Sequence, residues 1–212
     1  MSVIRLGEQS YTREPRGLGS LIRRLLESAR SLSPIARREW KKATELQKQI
    51  PFPYPSLVID IGVGSGPFWR QTDRFPRRLI GLDHDPQALL RLPLIWSRKD
   101  KHCRPLLLLA DATQLPFRNT SKVMLIALGV MEYLDCLENV FSEWRSIGAK
   151  GSLLLMSTSP EAMGNWGRKL IYRHLKLISP EEVLKVAPLC GWEVLFGPIS
   201  AGLQHLWVLK SV

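Results

Sequence analysis

Apolar positions along this chain follow two different rhythms, and the rhythm changes near residue 55. Before that point Leu18, Leu21, Ile22, Leu25, Leu26, Ala29 and Leu32 recur at three- and four-residue spacing, which makes one apolar face of a helix. Arg23, Arg24 and Arg30 occupy its other side. Pro34 suits a first helical turn and opens a second predicted helix over residues 36–49, with Lys41, Lys42 and Lys48 exposed. The string Pro51-Phe52-Pro53-Tyr54-Pro55 excludes both a helix and a central strand, so it reads as a stiff linker. No strand is predicted within residues 1–55. From Ser56 onward short continuous apolar runs, at 57–61, 79–82, 106–110, 123–128 and 153–157, alternate with helical stretches at 86–96 and 134–147. Runs without polar alternation suit strands covered on both faces, and strands alternating with helices predict a doubly wound α/β fold with a mostly parallel sheet.

The last part departs from that alternation. Ser179-Pro180-Glu181-Glu182 is a helix start, with a capping hydroxyl, a proline and two acids beside the positive helix terminus. Two strands follow at 192–196 and 205–209, separated by a turn-rich stretch over 197–203 with no room for a crossover helix. They are expected to pair as an antiparallel hairpin. The division predicted is therefore a basic helical arm or lid over 1–55 and an α/β domain over 56–212.

Composition narrows the chemistry. The 212 residues are 45% hydrophobic and 23% charged, a globular balance. The three cysteines, Cys103, Cys136 and Cys190, are widely spaced and form no CxxC pair, so neither a metal site nor a disulfide framework is expected, and a reducing, cytoplasmic setting fits. No apolar run reaches the ~18 residues that a membrane span demands. The Arg-rich first 30 residues lack the apolar core of a secretory signal. Thirty Lys and Arg against nineteen Asp and Glu give +11, and more than half of that excess lies in residues 1–55, with eleven basic and five acidic residues. Either the arm is simply solvated, or it meets an anionic partner such as RNA, an acidic membrane surface (peripheral contact) or a phosphorylated substrate.

The segment Asp60-Ile61-Gly62-Val63-Gly64-Ser65-Gly66-Pro67 carries the most specific signal. A buried strand runs directly into three glycines at alternate positions, which permit positive φ and close approach of backbone N–H groups to a ligand. A phosphate-binding P-loop would need Lys-Ser/Thr after the last glycine, and a dinucleotide fingerprint would need glycine at the position held by Pro67; both fail. Asp83 ends the next strand, 21 residues after Gly62, where a carboxylate can accept from the ribose hydroxyls of an adenosine. Asp111-Ala112 ends the strand after that, 28 residues beyond Asp83, where a carboxylate or an adjacent backbone N–H can read an adenine edge. Each aspartate alone could equally be a turn former.

With these residues the chain resembles the class I S-adenosylmethionine-dependent methyltransferases over about residues 56–212, in tone closest to the small-molecule enzymes of ubiquinone and menaquinone biosynthesis. The segment Ala127-Leu128-Gly129-Val130-Met131-Glu132-Tyr133-Leu134 and the turn Gly148-Ala149-Lys150-Gly151-Ser152-Leu153 add to the likeness. The resemblance implies a Rossmann-like seven-stranded sheet ending in an antiparallel hairpin, and S-adenosyl-L-methionine as cofactor. It places Gly62, Gly64 and Gly66 against the methionine part, Asp60 orienting the loop or the cofactor's amino group, Asp83 on the ribose with His84 lining the pocket, Asp111 and Ala112 at the adenine, and Leu128 beside the adenine or the methionine chain. Methyl transfer from a sulfonium is an in-line displacement, so the protein supplies alignment, desolvation and sometimes a base. Glu132 and Tyr133 are the candidate catalytic residues; against that stands the reading that both merely begin a helix and face solvent. No Asn/Asp-Pro-Pro-Tyr/Phe and no Pro-Cys follows the fourth strand, which disfavours nucleobase methylation.

The segment 163–174, with Trp166, Leu170 and Ile171 beside Arg168, Lys169 and Arg173, reads as an amphipathic basic cover. The expected function is methyl transfer to a small-molecule or lipid-like acceptor. An RNA methyltransferase using the basic arm and a non-catalytic cofactor-binding scaffold remain open at this point, as do the acceptor atom and the oligomeric state.

Overall fold

The computed structural model describes residues 4–5, 34–50, 57–64, 66–71, 76, 78–96, 105–118, 121–162, 165–166 and 175–212. The predicted helix over 18–32, the proline linker 51–55 and most of the segment 163–174 lie outside the described residues.

Five parallel strands carry the centre of the sheet: β2 (Leu57–Ile61), β3 (Arg78–Asp83), β4 (Leu106–Leu109), β5 (Val123–Ala127) and β6 (Leu153–Thr158). Strands β7 (Trp192–Ala201) and β8 (Gln204–Ser211) finish it as an antiparallel hairpin, and a two-residue strand β1 (Ile4–Arg5) lies parallel to β4 at the opposite edge. The order across the sheet is β1-β4-β3-β2-β5-β6-β8-β7. This is the expected seven-stranded, mostly parallel arrangement, plus the short β1 within a region where no strand was predicted; two residues are too few to leave an apolar pattern.

Every residue of β5 and β6 is buried, as continuous apolar runs require of central strands with helices on both faces. Alternate side chains serve opposite layers. Val123, Leu125, Leu154 and Met156 pack with Phe141, Trp144 and Ile147 of α3 (Leu137–Ile147) and with Val183 and Val186 of α4 (Pro180–Leu189). Met124, Ile126, Leu153 and Leu155 pack with Leu89 and Leu92 of α2 (Pro86–Trp96), and with Ala43 and Leu46 of α1 (Pro34–Gln49) and the following Ile50. Helix α1 thus shares the core of the α/β unit, while its Lys41, Lys42 and Lys48 are exposed as predicted. The buried indoles each donate to a defined acceptor: Trp144 to the Ala112 carbonyl at 2.8 Å, Trp192 to the Phe141 carbonyl at 3.0 Å, and Trp207 to Thr158 Oγ1 at 3.0 Å.

Two boundaries differ from the sequence reading. The chain after β5 makes a single 3-10 turn at Met131–Tyr133, and α3 begins only at Leu137, because Leu134 is extended (φ −103°, ψ 136°). The stretch 197–203 is mostly strand. Irregularities in pairing between Val194 and Phe196, and between Phe196 and Ile199, absorb Gly197-Pro198, so that only Gly202 and Leu203 turn the hairpin.

Candidate functional site

The carboxyl ends of β2, β3, β4, β5 and β6 meet along one edge, and the residues singled out in the sequence lie there. Strand β2 leaves the sheet at Ile61 into a loop in which Gly62, Gly64 and Gly66 have φ of +67°, +52° and +65°. Two of these glycines are required for different reasons. A side-chain carbon at Gly62 would collide with Val130 Cγ2, which locks the loop against the segment following β5. At Gly64 the same atom would meet nothing closer than the Gly62 carbonyl oxygen at 3.9 Å among the described residues, which leaves its open side facing the space above the strand ends. That is where ligands of open parallel sheets sit, and a Cβ there would fill part of the cradle. The Val63 N–H donates to the Leu82 carbonyl at 3.0 Å, tying the loop to β3.

Asp83 ends β3 and is buried. Its Oδ2 accepts from the Gly64 N–H at 2.8 Å and its Oδ1 from the Asp85 N–H at 2.9 Å. A carboxylate has about four acceptor positions, so two remain for a diol such as a ribose. Burial pushes the Asp83 carboxyl above the usual carboxylate range; the two backbone donors and the neighbouring His84 oppose that, and Asp85 adds to it. Asp60, in the middle of the sheet opposite Gly81, is buried as well. Trp69 lies over Gly81, which has no side chain to exclude it, and its indole beside Asp60 favours the ionised carboxyl. Desolvation nevertheless holds Asp60 well above the ordinary range, with Asp83 pushing the same way.

The other expected cofactor residues are arranged around this pair. Ala110 N–H donates to the Asp83 carbonyl at 3.1 Å, which sets the end of β4 beside the end of β3. Asp111 is exposed and its Oδ1 accepts from the Thr113 N–H and hydroxyl at 2.8 and 2.7 Å, so this carboxylate shapes its own turn. Ala112 is half-buried, with its carbonyl taken by Trp144. Leu128 is half-buried and packs on the layer that includes Val63. The His84 side chain is 72% exposed, its Nδ1 3.4 Å from Asp83 Oδ1, at the rim of the group.

Glu132 does not face solvent. Its exposure is 0%, whereas the adjacent Tyr133 is 39% exposed. Gly129 (φ +73°) turns the chain after β5, with its N–H held by Ser157 Oγ at 2.8 Å, and the 3-10 turn then directs Glu132 inward. Glu132 Oε1 accepts from Gln204 Nε2 at 3.0 Å and from Ser159 Oγ at 3.3 Å. The turn that supplies Gln204 is itself gripped: Leu203 N–H donates to Glu39 Oε1 of α1 at 3.2 Å, and the Leu203 carbonyl accepts from Asn165 Nδ2 at 2.8 Å. Glu39, Ser159, Asn165 and Gln204 are all buried, and none was singled out in the sequence. The one signal was Ser157-Thr158-Ser159, a hydroxyl run ending an otherwise apolar strand.

One carboxyl end of the sheet therefore holds a glycine cradle with an acid able to accept a diol, and beside it a buried carboxylate gripped by side-chain donors. The first arrangement fits the ribose and methionine parts of S-adenosylmethionine, which supplies an electrophilic methyl group when bound; Gly62–Gly66 and Asp83 would hold it.

Comparison with known proteins agrees. Residues 59–156 match the family described as a methyltransferase domain. A demethylmenaquinone methyltransferase from Deinococcus radiodurans is 23% identical over 210 aligned residues, with 84% of each chain covered. Among solved structures, magnesium protoporphyrin IX methyltransferase (ChlM) from Synechocystis PCC 6803 with bound SAH superimposes with a TM-score of 0.66, at 14% identity over 83% of each chain. The N-methyltransferase NodS from Bradyrhizobium japonicum, in complex with S-adenosyl-l-homocysteine, gives a TM-score of 0.64 at 17% identity, covering 84% of this chain and 88% of that one.

Proposed function

We infer that this chain, a class I S-adenosylmethionine-dependent methyltransferase, transfers the methyl group to a small, flat, largely apolar acceptor bound beside Glu132. The carrying observation is the adjacency of two sites through one contact: Gly62 of the cofactor loop packs on Val130, two residues before the buried Glu132. A methyl donor in the glycine cradle and an acceptor at Glu132 would thus share one edge of the sheet. Two relatives point the same way, being named for demethylmenaquinone and magnesium protoporphyrin IX, both extended conjugated rings.

In this reading Gly62, Gly64 and Gly66 approach the methionine part, Asp83 accepts from the ribose, and Asp60 supplies negative charge to a cationic cofactor. Leu128, Ala112 and the Asp111 turn flank the adenine, with His84 at the rim. Helix α1 and Asn165 grip the turn at Leu203 on the acceptor side, which would help exclude water from the reacting atoms. The deciding experiment incubates the chain with methyl-tritiated S-adenosylmethionine and separate pools of apolar metabolites and RNA. Label in the apolar pool is the expected result. Label confined to RNA would make RNA the acceptor, bound through the basic arm, and cofactor binding without transfer to either pool would make the chain a scaffold.

A further inference from the structure

The two helical layers that cover the sheet carry opposite charge. Helices α1 and α2, which share one layer, hold six basic residues against two acidic ones, whereas α3 and α4 on the other hold two basic against four acidic. At the surface of α1 the imbalance is sharper. Arg37, Arg38, Lys41, Lys42 and Lys48 are exposed, while of its two acids Glu39 is buried and accepts from the Leu203 N–H at 3.2 Å. The other acid, Glu45, pairs with Lys42 at 3.7 Å; Arg37, Arg38 and Lys41 have no ion-pair partner among the described residues. From Arg37 to Lys48 these cations line roughly 16 Å of helix. The acids of α3 and α4 lie across the sheet, roughly 20 Å away at about 10 Å per layer, beyond the ~8 Å screening length of physiological salt. They leave the positive face uncancelled.

Surfaces that bind single-stranded nucleic acid interleave cations with aromatic side chains on which bases stack. The aromatic of α1, Trp40, is instead packed into the core layer. The exposed large apolar side chain on the helices of this layer, among the described residues, is Leu90 of α2, next to the exposed Arg91. The apolar side of α1 is used on the core through Ala43 and Leu46, so this helix does not lie in a bilayer as an inserted amphipathic helix does. A basic face with little apolar surface suits the negatively charged headgroup plane of a membrane, which attracts each cation that comes near it. Opposite signs on opposite layers also orient the molecule on such a plane, positive layer inward. We propose that this protein docks reversibly, through the exposed face of α1, onto a bilayer surface rich in anionic lipid headgroups. The attraction is electrostatic, and the layer of α3 and α4 faces solution. Glu39, on the inner side of the same helix, grips the hairpin turn beside Gln204, which fixes the docked helix to the carboxyl edge of the sheet.

The test sediments the full chain with vesicles of phosphatidylcholine alone, or of phosphatidylcholine with about 30% phosphatidylglycerol. Binding to the anionic vesicles and not to the neutral ones is expected at roughly 0.05 M salt, with its loss at roughly 0.5 M. Lys41→Gln combined with Lys42→Gln is expected to weaken vesicle binding about 10- to 30-fold, near fivefold per charge removed. Arg37→Gln combined with Arg38→Gln should act by a similar factor. Lys185→Gln removes an exposed cation from α4, on the opposite layer, and should change binding less than about twofold. All of these positions are exposed, and far-ultraviolet circular dichroism checks that each variant is folded; should one α1 pair not fold, the other carries the same expectation. An equal loss per charge in Lys185→Gln would show net charge alone at work and overturn the proposal. Equal binding to neutral vesicles, no binding to anionic ones, or unchanged affinity in the folded α1 variants would each do the same. A single-stranded and a duplex RNA are titrated in parallel. Salt-sensitive RNA binding that the α1 variants remove, without binding to anionic vesicles, would overturn the proposal and assign the face to nucleic acid.

Discussion

Asp83 and Glu132 are both buried carboxyls at the same edge of one sheet, but they are held by different means. Asp83 is held by the backbone: its two donors are the N–H groups of Gly64 and Asp85, fixed by the loop and turn around them. Glu132 is held by side chains, Gln204 and Ser159, which have rotamer freedom of their own and are kept in place by α1 and by Asn165. A backbone grip suits a ligand that does not change, as the adenosine of the cofactor would be in the proposed reading. A side-chain grip can be altered one residue at a time without disturbing the strands, which would suit selectivity for an acceptor bound there. The comparison predicts that damage to one half leaves the other intact.

The largest break comes from the core. Leu46 of α1 is buried in one cluster with residues of β2, β5 and β8, so Leu46→Ala should cost about 2–5 kcal/mol of stability in a denaturant titration, with S-adenosylhomocysteine affinity unchanged in the fraction that remains folded. Within the cofactor half, two neighbouring glycines should separate stability from affinity. Gly62→Ala combines a left-handed φ with a collision against Val130 and should destabilise by roughly 2–3 kcal/mol. Gly64→Ala meets no described atom closer than the Gly62 carbonyl oxygen at 3.9 Å, so its stability cost should stay near 1 kcal/mol while cofactor affinity falls because the added methyl occupies the cradle. Comparable stability losses for the two variants would show that the loop is not seated as described.

A smaller effect sharpens the electrostatic contrast. Burial raises Asp60 well above its ordinary value of 3.8, so the folded protein binds this proton more tightly than the unfolded chain does. The stabilisation is full below about 3.8 and is lost as pH rises from there through the folded pKa, leaving a constant deficit above it. Asp83 contributes in the same direction. In Asp60→Asn the decline of stability with rising pH should flatten, part of it remaining through Asp83, and thermal melts across that window will show it. Wild-type affinity for the cationic cofactor should climb over the same window as Asp60 ionises, and the climb should shrink in the variant.

The two halves also differ in what the sequence reveals. The glycine-loop half is local: Asp60 to Gly66 is a contiguous motif, and Asp83 follows one strand later, so apolar runs and glycine spacing were sufficient to single these residues out. The group around Glu132 draws on Glu39, Ser159, Asn165 and Gln204, which only the closed sheet brings together, and no spacing rule joins them. Gln204 was hidden further because the whole stretch 197–203 reads as the turn, while irregular pairing carries β7 through Gly197 and Pro198 and confines the turn to Gly202 and Leu203. Asp111 illustrates the opposite hazard: its place at a strand end was legible, but the carboxylate is engaged by its own turn.

The most direct test of the account is calorimetric titration of the wild-type chain and of Asp83→Ala with S-adenosylhomocysteine. One-site binding by the wild type, weakened about 10- to 100-fold in the variant, is predicted from the roughly 1–3 kcal/mol that an unpaired buried hydroxyl partner costs. No binding by the wild type, or equal affinity in both, would contradict it.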